Sequence, residues 1–244
     1  MRLAVEHSWQ VTPQEAREIQ ERLRTRWIGE DMPGAIETVG GLDAAFVLEG
    51  SQALRRASSW QAMRAANRAI TAAVVYRYPA MEEVERVTAV APLTFPYVPG
   101  LLSFREIPGL LAALEKLRRL PDLLFCDGQG YAHPRRMGLA THLGILLNRP
   151  TIGCAKSLLI GRHGRLGEKA GSCAEIREGG EVIGAAVRTR DGVAPVYVSS
   201  GHQVSLESAI RLTLEVTDGT RIPKPTREAD RAVREAKRKL LNRG

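Results

Sequence analysis

The chain has 244 residues, 44% of them hydrophobic and 25% charged, which supports a packed core and excludes disordered, collagen-like and disulfide-rich proteins. Its 35 lysines and arginines against 27 aspartates and glutamates leave a net charge of +8. That balance favours a polyanionic partner such as nucleic acid, although a solvated basic surface would give the same count.

The sequence also limits where the protein works. Its apolar runs are much shorter than the roughly 20 residues that a membrane-spanning helix needs. Polar residues occupy the N-terminus where a signal peptide would be apolar. The three cysteines, Cys126, Cys154 and Cys173, cannot all pair and show no CxxC spacing. We therefore expect a cytoplasmic protein that acts as a monomer without membrane contact, with Cys126 and Cys154 in its core.

The first part of the chain predicts one helix and three strands. Thr12-Pro13-Gln14-Glu15 is a capping box with proline at the first helical position, so a helix is predicted over 13–27. A strand is predicted over 38–48, and two antiparallel strands over 70–78 and 84–93. Residues 49–67 are irregular, carry several arginines and are predicted to form an inserted loop or helix.

The second part alternates strands and helices, which is typical of an α/β domain with a mixed sheet. The predicted elements are a helix over 100–119 interrupted at Pro108, a strand over 123–126, a helix over 138–147, a strand over 151–155, a hairpin of 174–176 and 182–187 joined through Glu178-Gly179-Gly180, a strand over 196–199 and a helix over 206–216. We see no internal repeat and no long linker, so residues 1–244 are predicted to form a single domain.

A basic helix closes the chain. Residues 221–243 contain nine basic and three acidic residues, which supply six of the eight net positive charges. A helix is predicted over about 226–241, with Thr226 as its N-cap. At 100° per residue, one face carries a stripe of arginines and the opposite face is apolar. The arginines are Arg227, Arg231, Arg234 and Arg238, and the apolar residues are Ala229, Val233, Ala236 and Leu240.

Three carboxylates stand out because they lie in or beside apolar segments. Asp43 is inside an apolar strand, Asp127 directly follows the predicted strand 123–126, and Glu106 lies on the predicted helix 100–119. A buried carboxylate needs a partner or a metal ion, and three at one sheet edge would suit Mg²⁺ or Mn²⁺. Each alone could instead be a helix cap, a surface acid or a partner of Arg105 or Arg135.

Other site motifs are incomplete. The run from Gly128 to His133 begins like GxGxxG but has histidine in place of the third glycine. The chain contains no GxxxxGK[ST], no GxSxG around Ser199 or Ser200, and no HExxH. A carboxylate-bound metal site that handles phosphate is therefore the leading hypothesis.

Four stretches resemble the endonuclease V family of deoxyinosine-directed repair nucleases. They are residues 39–46, the string FPYVPGLLSFRE at 95–106, the string DGQGYAHPRR at 127–136 and the string PTIGCAKS at 150–157. The similarity continues through Gly201-His202 and covers most of residues 12–230. The second and third strings are long and highly specific.

The resemblance implies a ribonuclease-H-like mixed β-sheet flanked by helices and Mg²⁺-dependent cleavage, with Mn²⁺ as a substitute. The family cuts the second phosphodiester bond 3′ to a deaminated base in DNA and leaves 3′-hydroxyl and 5′-phosphate ends. By this resemblance Asp43, Glu106 and Asp127 hold the metal, Glu106 is the catalytic glutamate, and Tyr97 is the wedge that enters the duplex. His133, Lys156 and His202 match further polar active-site positions.

Substrate contacts are expected near these residues. Tyr97 is held between two prolines, Pro96 and Pro99, which suits a stiff wedge. Gly100 and Leu102 lie at the start of a predicted helix, whose amides could receive an extruded base or a phosphate. Gly128 lets the backbone approach a phosphate closely.

Two departures limit the resemblance. The family usually has proline before and arginine after the Gly201-His202 pair, where this chain has Ser200 and Gln203, so the role of His202 is the weakest assignment. Residues 49–67 differ from the short turn common in the family. An inosine-specific endoribonuclease and a non-catalytic nucleic-acid-binding protein on the same scaffold remain alternative hypotheses.

Overall fold

A nine-stranded β-sheet forms the centre of the computed structural model, which describes residues 1–32, 34–48 and 65–242. The strands are β1 (Thr38–Val47), β2 (Arg68–Arg77), β3 (Glu82–Pro92), β4 (Leu123–Cys126), β5 (Thr151–Ala155), β6 (Arg162–His163), β7 (Cys173–Glu178), β8 (Glu181–Val187) and β9 (Val196–His202). Their order across the sheet is β3-β2-β1-β4-β5-β9-β8-β7-β6. The pairs β1–β4 and β4–β5 are parallel and the others antiparallel, so the predicted mixed sheet is confirmed.

Five helices complete the described fold. They are α1 (Pro13–Arg24), α2 (Leu102–Leu114), α3 (Leu139–Leu147), α4 (Leu206–Glu215) and α5 (Lys224–Leu241). The predicted capping box of α1 is confirmed, because Thr12 and Glu15 bond each other's backbone amides. The predicted interruption at Pro108 is wrong. Pro108 lacks the N–H that would bond the carbonyl four residues earlier, yet α2 continues through it.

The helices cover the two faces of the sheet. On one face, α2 and α3 bury a core that includes Leu42, Leu110 and Leu143. On the other, α4 and α5 pack against Val39 and Phe125, among others. Helix α1 packs on a third cluster, formed with Phe95, Phe104 and other residues. Cys126 and Cys154 are buried, as predicted.

Several boundaries differ from the prediction. Helix α5 begins at Lys224 with Pro223 as its N-cap, so the predicted cap at Thr226 is wrong. The Thr226 hydroxyl instead donates to the Pro223 carbonyl from inside the first turn. The β7–β8 hairpin turns at Gly179 and Gly180, whose φ angles of +58° and +86° suit the two central positions of a type I′ turn.

Most of the predicted insertion, residues 49–64, lies outside the described residues, so the form of this insertion stays a prediction. Strand β9 runs to His202, three residues beyond the predicted end. Among the helices of the described residues, none is long and apolar enough to cross a membrane.

Candidate active site

Asp43 and Asp127 come together on neighbouring parallel strands. Leu42 of β1 is paired with Cys126 of β4, and the Asp127 amide donates to the Leu42 carbonyl at 3.2 Å. Neighbouring strands lie about 4.8 Å apart, so this register brings the two aspartates side by side. Burial raises the pKa of Asp43 to about 8, and the charge of Asp127 adds to the rise while Lys156 opposes it.

Glu106 reaches the same group of charges from α2. The residue is buried, and burial raises the pKa of its carboxyl well above the usual value. The charges of Asp43 and Asp127 add to that rise, which places all three predicted carboxylates within electrostatic reach of one another. The neighbouring Arg105 donates to the Phe95 carbonyl at 2.7 Å and lies over the Phe46 ring.

Lys156 lies just beyond β5 and donates to Oδ2 of Asp127. Burial opposes its positive charge, but the carboxylate of Asp127 raises the pKa of Lys156 on balance, with Asp43 and Asp230 contributing. The ammonium is therefore a fixed positive charge beside the carboxylates. It is the only predicted lysine of the site, and the structure places it there.

Asp230 on α5 is a fourth carboxylate of the site that the sequence analysis missed. Its charge raises the pKa of Asp43 and that of Lys156. Arg234, one turn later, holds it through two contacts, with Nε donating to Oδ1 at 3.0 Å and Nη2 lying 2.6 Å from Oδ2. The signal in the sequence was weak, because Asp230 is one acid within a strongly basic helix.

A close approach of backbones explains how α5 delivers Asp230. A Cβ atom on Gly41 of β1 would lie 2.0 Å from the Pro225 carbonyl oxygen. Only glycine therefore lets the start of α5 cross β1 this closely, two residues before Asp43. The contact fixes the helix against the strand that carries the first aspartate.

A cavity of about 380 Å³ opens beside Asp127 and Lys156. Eight of the residues singled out in the sequence line it, namely Tyr97, Pro99, Gly100, Leu102, Asp127, Gly128, His133 and Lys156. It has the size of a small-ligand site, with apolar walls and a few polar groups. Asp43 and Glu106 are not among its lining residues.

His133 is a neutral, fully bonded side chain in this cavity. Its Nδ1 accepts from the Arg135 amide at 3.2 Å, which leaves Nε2 to donate to the Gly100 carbonyl at 3.1 Å. Burial lowers the pKa of His133 to about 4, and the Arg135 charge adds to the shift. Its bonds tie the loop that follows Asp127 to the start of α2.

The structure does not bring His202 to this group, so its predicted role in the active site stays a prediction. In the antiparallel β5–β9 pair it lies opposite Thr151, at the start of β5, whereas Lys156 follows the other end of that strand. Its Nδ1 accepts from the Ile28 amide at 3.3 Å. Burial lowers the pKa of His202 to about 4. It joins β9 to the chain that follows α1.

Comparison with known proteins decides the family. The endonuclease V family matches residues 18–231. Endonuclease V of Trichormus variabilis is 47% identical over 232 residues, 95% of this chain and 98% of that protein. The chain belongs to the endonuclease V family.

Solved structures agree with this placement. Endonuclease V of Streptomyces avermitilis superposes with a TM-score of 0.85 at 40% identity, covering 99% of this chain and all of that one. Endonuclease V of Ciona intestinalis, solved with a 24mer DNA containing an inosine followed by a ribo-adenosine, gives a TM-score of 0.76 at 30% identity. That match covers 93% of this chain and 98% of the Ciona chain.

The predicted resemblance and enzyme class are thereby confirmed. This endonuclease V is a nuclease of DNA repair directed at deaminated bases, and it hydrolyses phosphodiesters with the help of a divalent metal. Binding of nucleic acid follows from the same relatives.

The donor set of this endonuclease V suits such a metal. Four carboxylates influence one another or Lys156, and hard oxygen ligands are those that Mg²⁺ and Mn²⁺ prefer. Burial is the main cause of the raised carboxyl pKa values of Asp43 and Glu106, and repulsion between the carboxylates, which a cation would relieve, adds to it. Within the described ranges, no three His, Cys, Asp or Glu side chains already converge at metal-holding distances.

Proposed function

We propose that this endonuclease V hydrolyses the second phosphodiester bond 3′ to a deaminated base, above all hypoxanthine, in DNA. The products are a 3′-hydroxyl and a 5′-phosphate. The observation that carries the proposal is one cavity with the Tyr97–Gly100 turn on its wall and Asp127 and Lys156 also lining it. A base-binding space and a charged hydrolytic site are thus contiguous. The inosine-containing DNA bound to the Ciona relative supports the same substrate.

The turn before α2 would engage the lesion. Tyr97 follows Pro96 and precedes Pro99 by two residues, so the backbone around its ring is stiff and little entropy is lost on insertion. The extruded base would enter the adjoining cavity, whose apolar walls favour a planar ring. Helix α2 begins there at Leu102 without a side-chain cap. Its first amides would then face the base or its phosphate.

Asp43, Glu106, Asp127 and Asp230 would hold the metal, which we propose is Mg²⁺ with Mn²⁺ able to replace it. When bound, the cation supplies charge neutralisation on the phosphate and a lower pKa of nearby water. The strand register that brings Asp43 and Asp127 together, and the close approach of α5 to β1 near Asp43, support this assignment.

Protein groups would handle the remaining charge and proton. The Glu106 carboxylate, ionised once the cation is bound, would take a proton from the attacking water. The water oxygen bonds to phosphorus, the bond from phosphorus to O3′ breaks, and O3′ leaves as the 3′-hydroxyl after gaining a proton. The Lys156 ammonium would face the phosphate oxygens. His133, with both ring nitrogens bonded, would hold the cavity wall rather than transfer a proton.

A nicking assay tests the proposal. Duplexes of one sequence, with a single inosine or a guanine at the same position, are incubated with protein and either Mg²⁺ or EDTA. We expect one nick at the second bond 3′ to inosine, only with Mg²⁺, and ligatable 5′-phosphate ends. Binding without any nick would favour the non-catalytic alternative. A faster cut in a matched RNA strand with one inosine would favour the endoribonuclease.

We also propose that residues 1–244 act as one domain, as a monomer and in the cytoplasm. One continuous sheet carries every described strand, which supports a single domain. All three cysteines are free, which suits a reducing compartment. Light scattering on a size-exclusion column would give about 27 kDa for the monomer, against a chain mass of 26.7 kDa.

A further inference from the structure

The backbone carbonyl of Gly100, at the end of the Tyr97–Gly100 turn, accepts hydrogen bonds from three side chains. Gln20 Nε2 donates to it at 3.2 Å, His133 Nε2 at 3.1 Å and Arg135 Nη2 at 2.6 Å. Gly100 itself has φ +76°, and a Cβ there would lie 2.9 Å from Arg135 Nη2. The turn that carries Tyr97 is therefore fixed at one backbone oxygen.

Of these three side chains, Gln20 is the one that lies outside both the Tyr97–Gly100 turn and the segment that runs from Asp127 to α3. It lies on α1 and is 1% exposed. Its second Nε2 bond goes to the Met137 carbonyl at 3.1 Å, and its Oε1 accepts from Arg135 Nε at 2.6 Å. Both N–H groups of the amide and its oxygen are thus in use, so Gln20 acts on its neighbours rather than on a bound ligand.

These bonds join the two halves of the proposed site. Gly100 ends the turn that carries Tyr97, whereas Arg135 and Met137 belong to the segment that runs from Asp127 to α3. Met137 directly precedes Gly138, which packs so closely on Gln129 that a Cβ would lie 2.3 Å from the Gln129 carbonyl oxygen. A change at Gln20 would therefore loosen the turn and the loop relative to each other.

We propose that Gln20 is a positioning residue for lesion recognition, which keeps the Tyr97 turn in register with the loop that carries Asp127 and His133. This inference rests on the proposed inosine-directed cleavage. Gln20 does not touch the reacting atoms, so it sets how well the free protein is organised to engage the base. Once a saturating concentration of protein has forced engagement, the cutting step itself is little changed.

Three variants test this on the intact chain. Gln20→Met keeps the volume and removes every bond of the amide, whereas Gln20→Glu keeps the acceptor for Arg135 and loses both donors. Gln14→Met, on the exposed face of the same helix, is the matched control, because the Gln14 amide donates to Glu18 of its own helix. Single-turnover nicking of inosine and guanine duplexes gives the half-saturating protein concentration and the maximal rate, and thermal melting reports folding.

For Gln20→Met we expect the half-saturating concentration on inosine DNA to rise about tenfold, the equivalent of one or two lost hydrogen bonds. The maximal rate should stay within about threefold of the parent. The half-saturating concentration of Gln20→Glu should lie between those of the parent and Gln20→Met. Gln14→Met should match the parent. An equal fold-change in the half-saturating concentration and in the maximal rate, or no change in either, would overturn the positioning role. If Gln20→Met does not fold, Gln20→Glu decides by the same comparison. Failure of the parent to nick inosine DNA would refute the proposed function itself, and the inference with it.

Discussion

Lys156 and Asp127 form an ion pair across the ends of two parallel strands, with the ammonium donating to Oδ2 of the carboxylate. The Asp127 side chain is 16% exposed and that of Lys156 44%, so the acid is the more deeply placed partner. The lysine engages one of the two carboxylate oxygens of Asp127. In the proposed function, this pair would link the charge that faces the phosphate to a carboxylate that holds the metal.

The first prediction follows from this pair. Asp127→Asn should lower single-turnover nicking about a hundredfold or more, because a neutral amide holds a cation poorly and stops neutralising Lys156. The volume is unchanged, so folding and binding to inosine duplex should persist in a gel-shift assay. Asp191→Asn, an exposed acid bonded to Lys169, is the control. Parental nicking by Asp127→Asn at saturating Mg²⁺ would remove Asp127 from the ligand set.

Asp230 gives the second prediction. Asp230→Asn should lower nicking about tenfold or more and raise the Mg²⁺ concentration for half-maximal rate, because one anionic ligand is lost. Titration of Mg²⁺ at saturating protein measures both quantities. Glu235→Gln is the control on the same helix, since Glu235 bonds Arg231 instead of facing the site. An unchanged Mg²⁺ dependence would show that Asp230 affects Asp43 only at a distance.

The difference between these two aspartates shows what local sequence can predict. Asp127 follows an apolar strand, and the end of a parallel strand is where α/β proteins bind ligands, so its place was predictable. Asp230 lies on an amphipathic helix whose pattern indicates only which face docks. Its place in the site depends on the close approach of Pro225 to Gly41, a tertiary contact that helical periodicity does not encode.

His202 shows how strand pairing separates predicted site residues. A short motif predicts it at the site, yet antiparallel pairing of β9 with β5 carries it to the opposite end of β5 from Lys156. Strand direction was not part of the prediction for 196–199. The strands themselves were predictable because alternating or continuous apolar runs mark buried strands, whereas the pairing partner of each strand is a long-range property.

Tyr97 provides the third prediction. Tyr97→Ala should reduce the preference for inosine over guanine duplex by about 1–3 kcal/mol, the value of one aromatic stacking contact, and change the saturated cutting rate less. Tyr97→Phe keeps the ring and should behave like the parent. Both are read from nicking of the two duplexes over a range of protein concentrations. Unchanged preference in Tyr97→Ala would exclude the wedge.

The fourth prediction concerns pH and stability. The pKa of His202 is lowered to about 4 by burial, against about 6.5 in the unfolded chain, so the unfolded state binds more protons between these values. The contribution of neutral His202 to the free energy of unfolding is complete above about pH 6.5 and is lost as the pH falls towards 4. Urea unfolding at pH 7 and pH 5 should show that His202 costs the parent about 2 kcal/mol of stability between the two pH values.

His202→Asn tests that cost, since its amide oxygen can still accept from the Ile28 amide but does not titrate. This variant should lose less stability than the parent between pH 7 and pH 5. Equal losses in the two proteins would show that His202 takes up no additional proton on unfolding. Nicking at pH 7.5 should be close to parental, because His202 lies away from the cavity.

The last prediction concerns the arginine face of α5. Its apolar side docks as predicted, with Ala229 and Val233 buried. Three of its four arginines are nevertheless paired with acids: Arg227 with Asp218, Arg231 with Glu228 and Glu235, and Arg234 with Asp230. Arg238 is exposed and makes no ion pair with any residue that the structure describes. Much of the positive charge on this face is therefore already compensated, and Arg238 is the best placed to meet a phosphate.

Arg238→Gln should weaken binding to inosine and guanine duplexes equally and shallow the log K against log salt slope by about 0.9, the value of one phosphate contact. Arg231→Gln, the matched control, should change the slope less, because its carboxylate partners already screen it. Binding isotherms at several salt concentrations give the slopes, and Arg234 stays intact since it holds Asp230. Equal slopes for the parent and Arg238→Gln would show that this face of α5 does not contact the phosphate backbone.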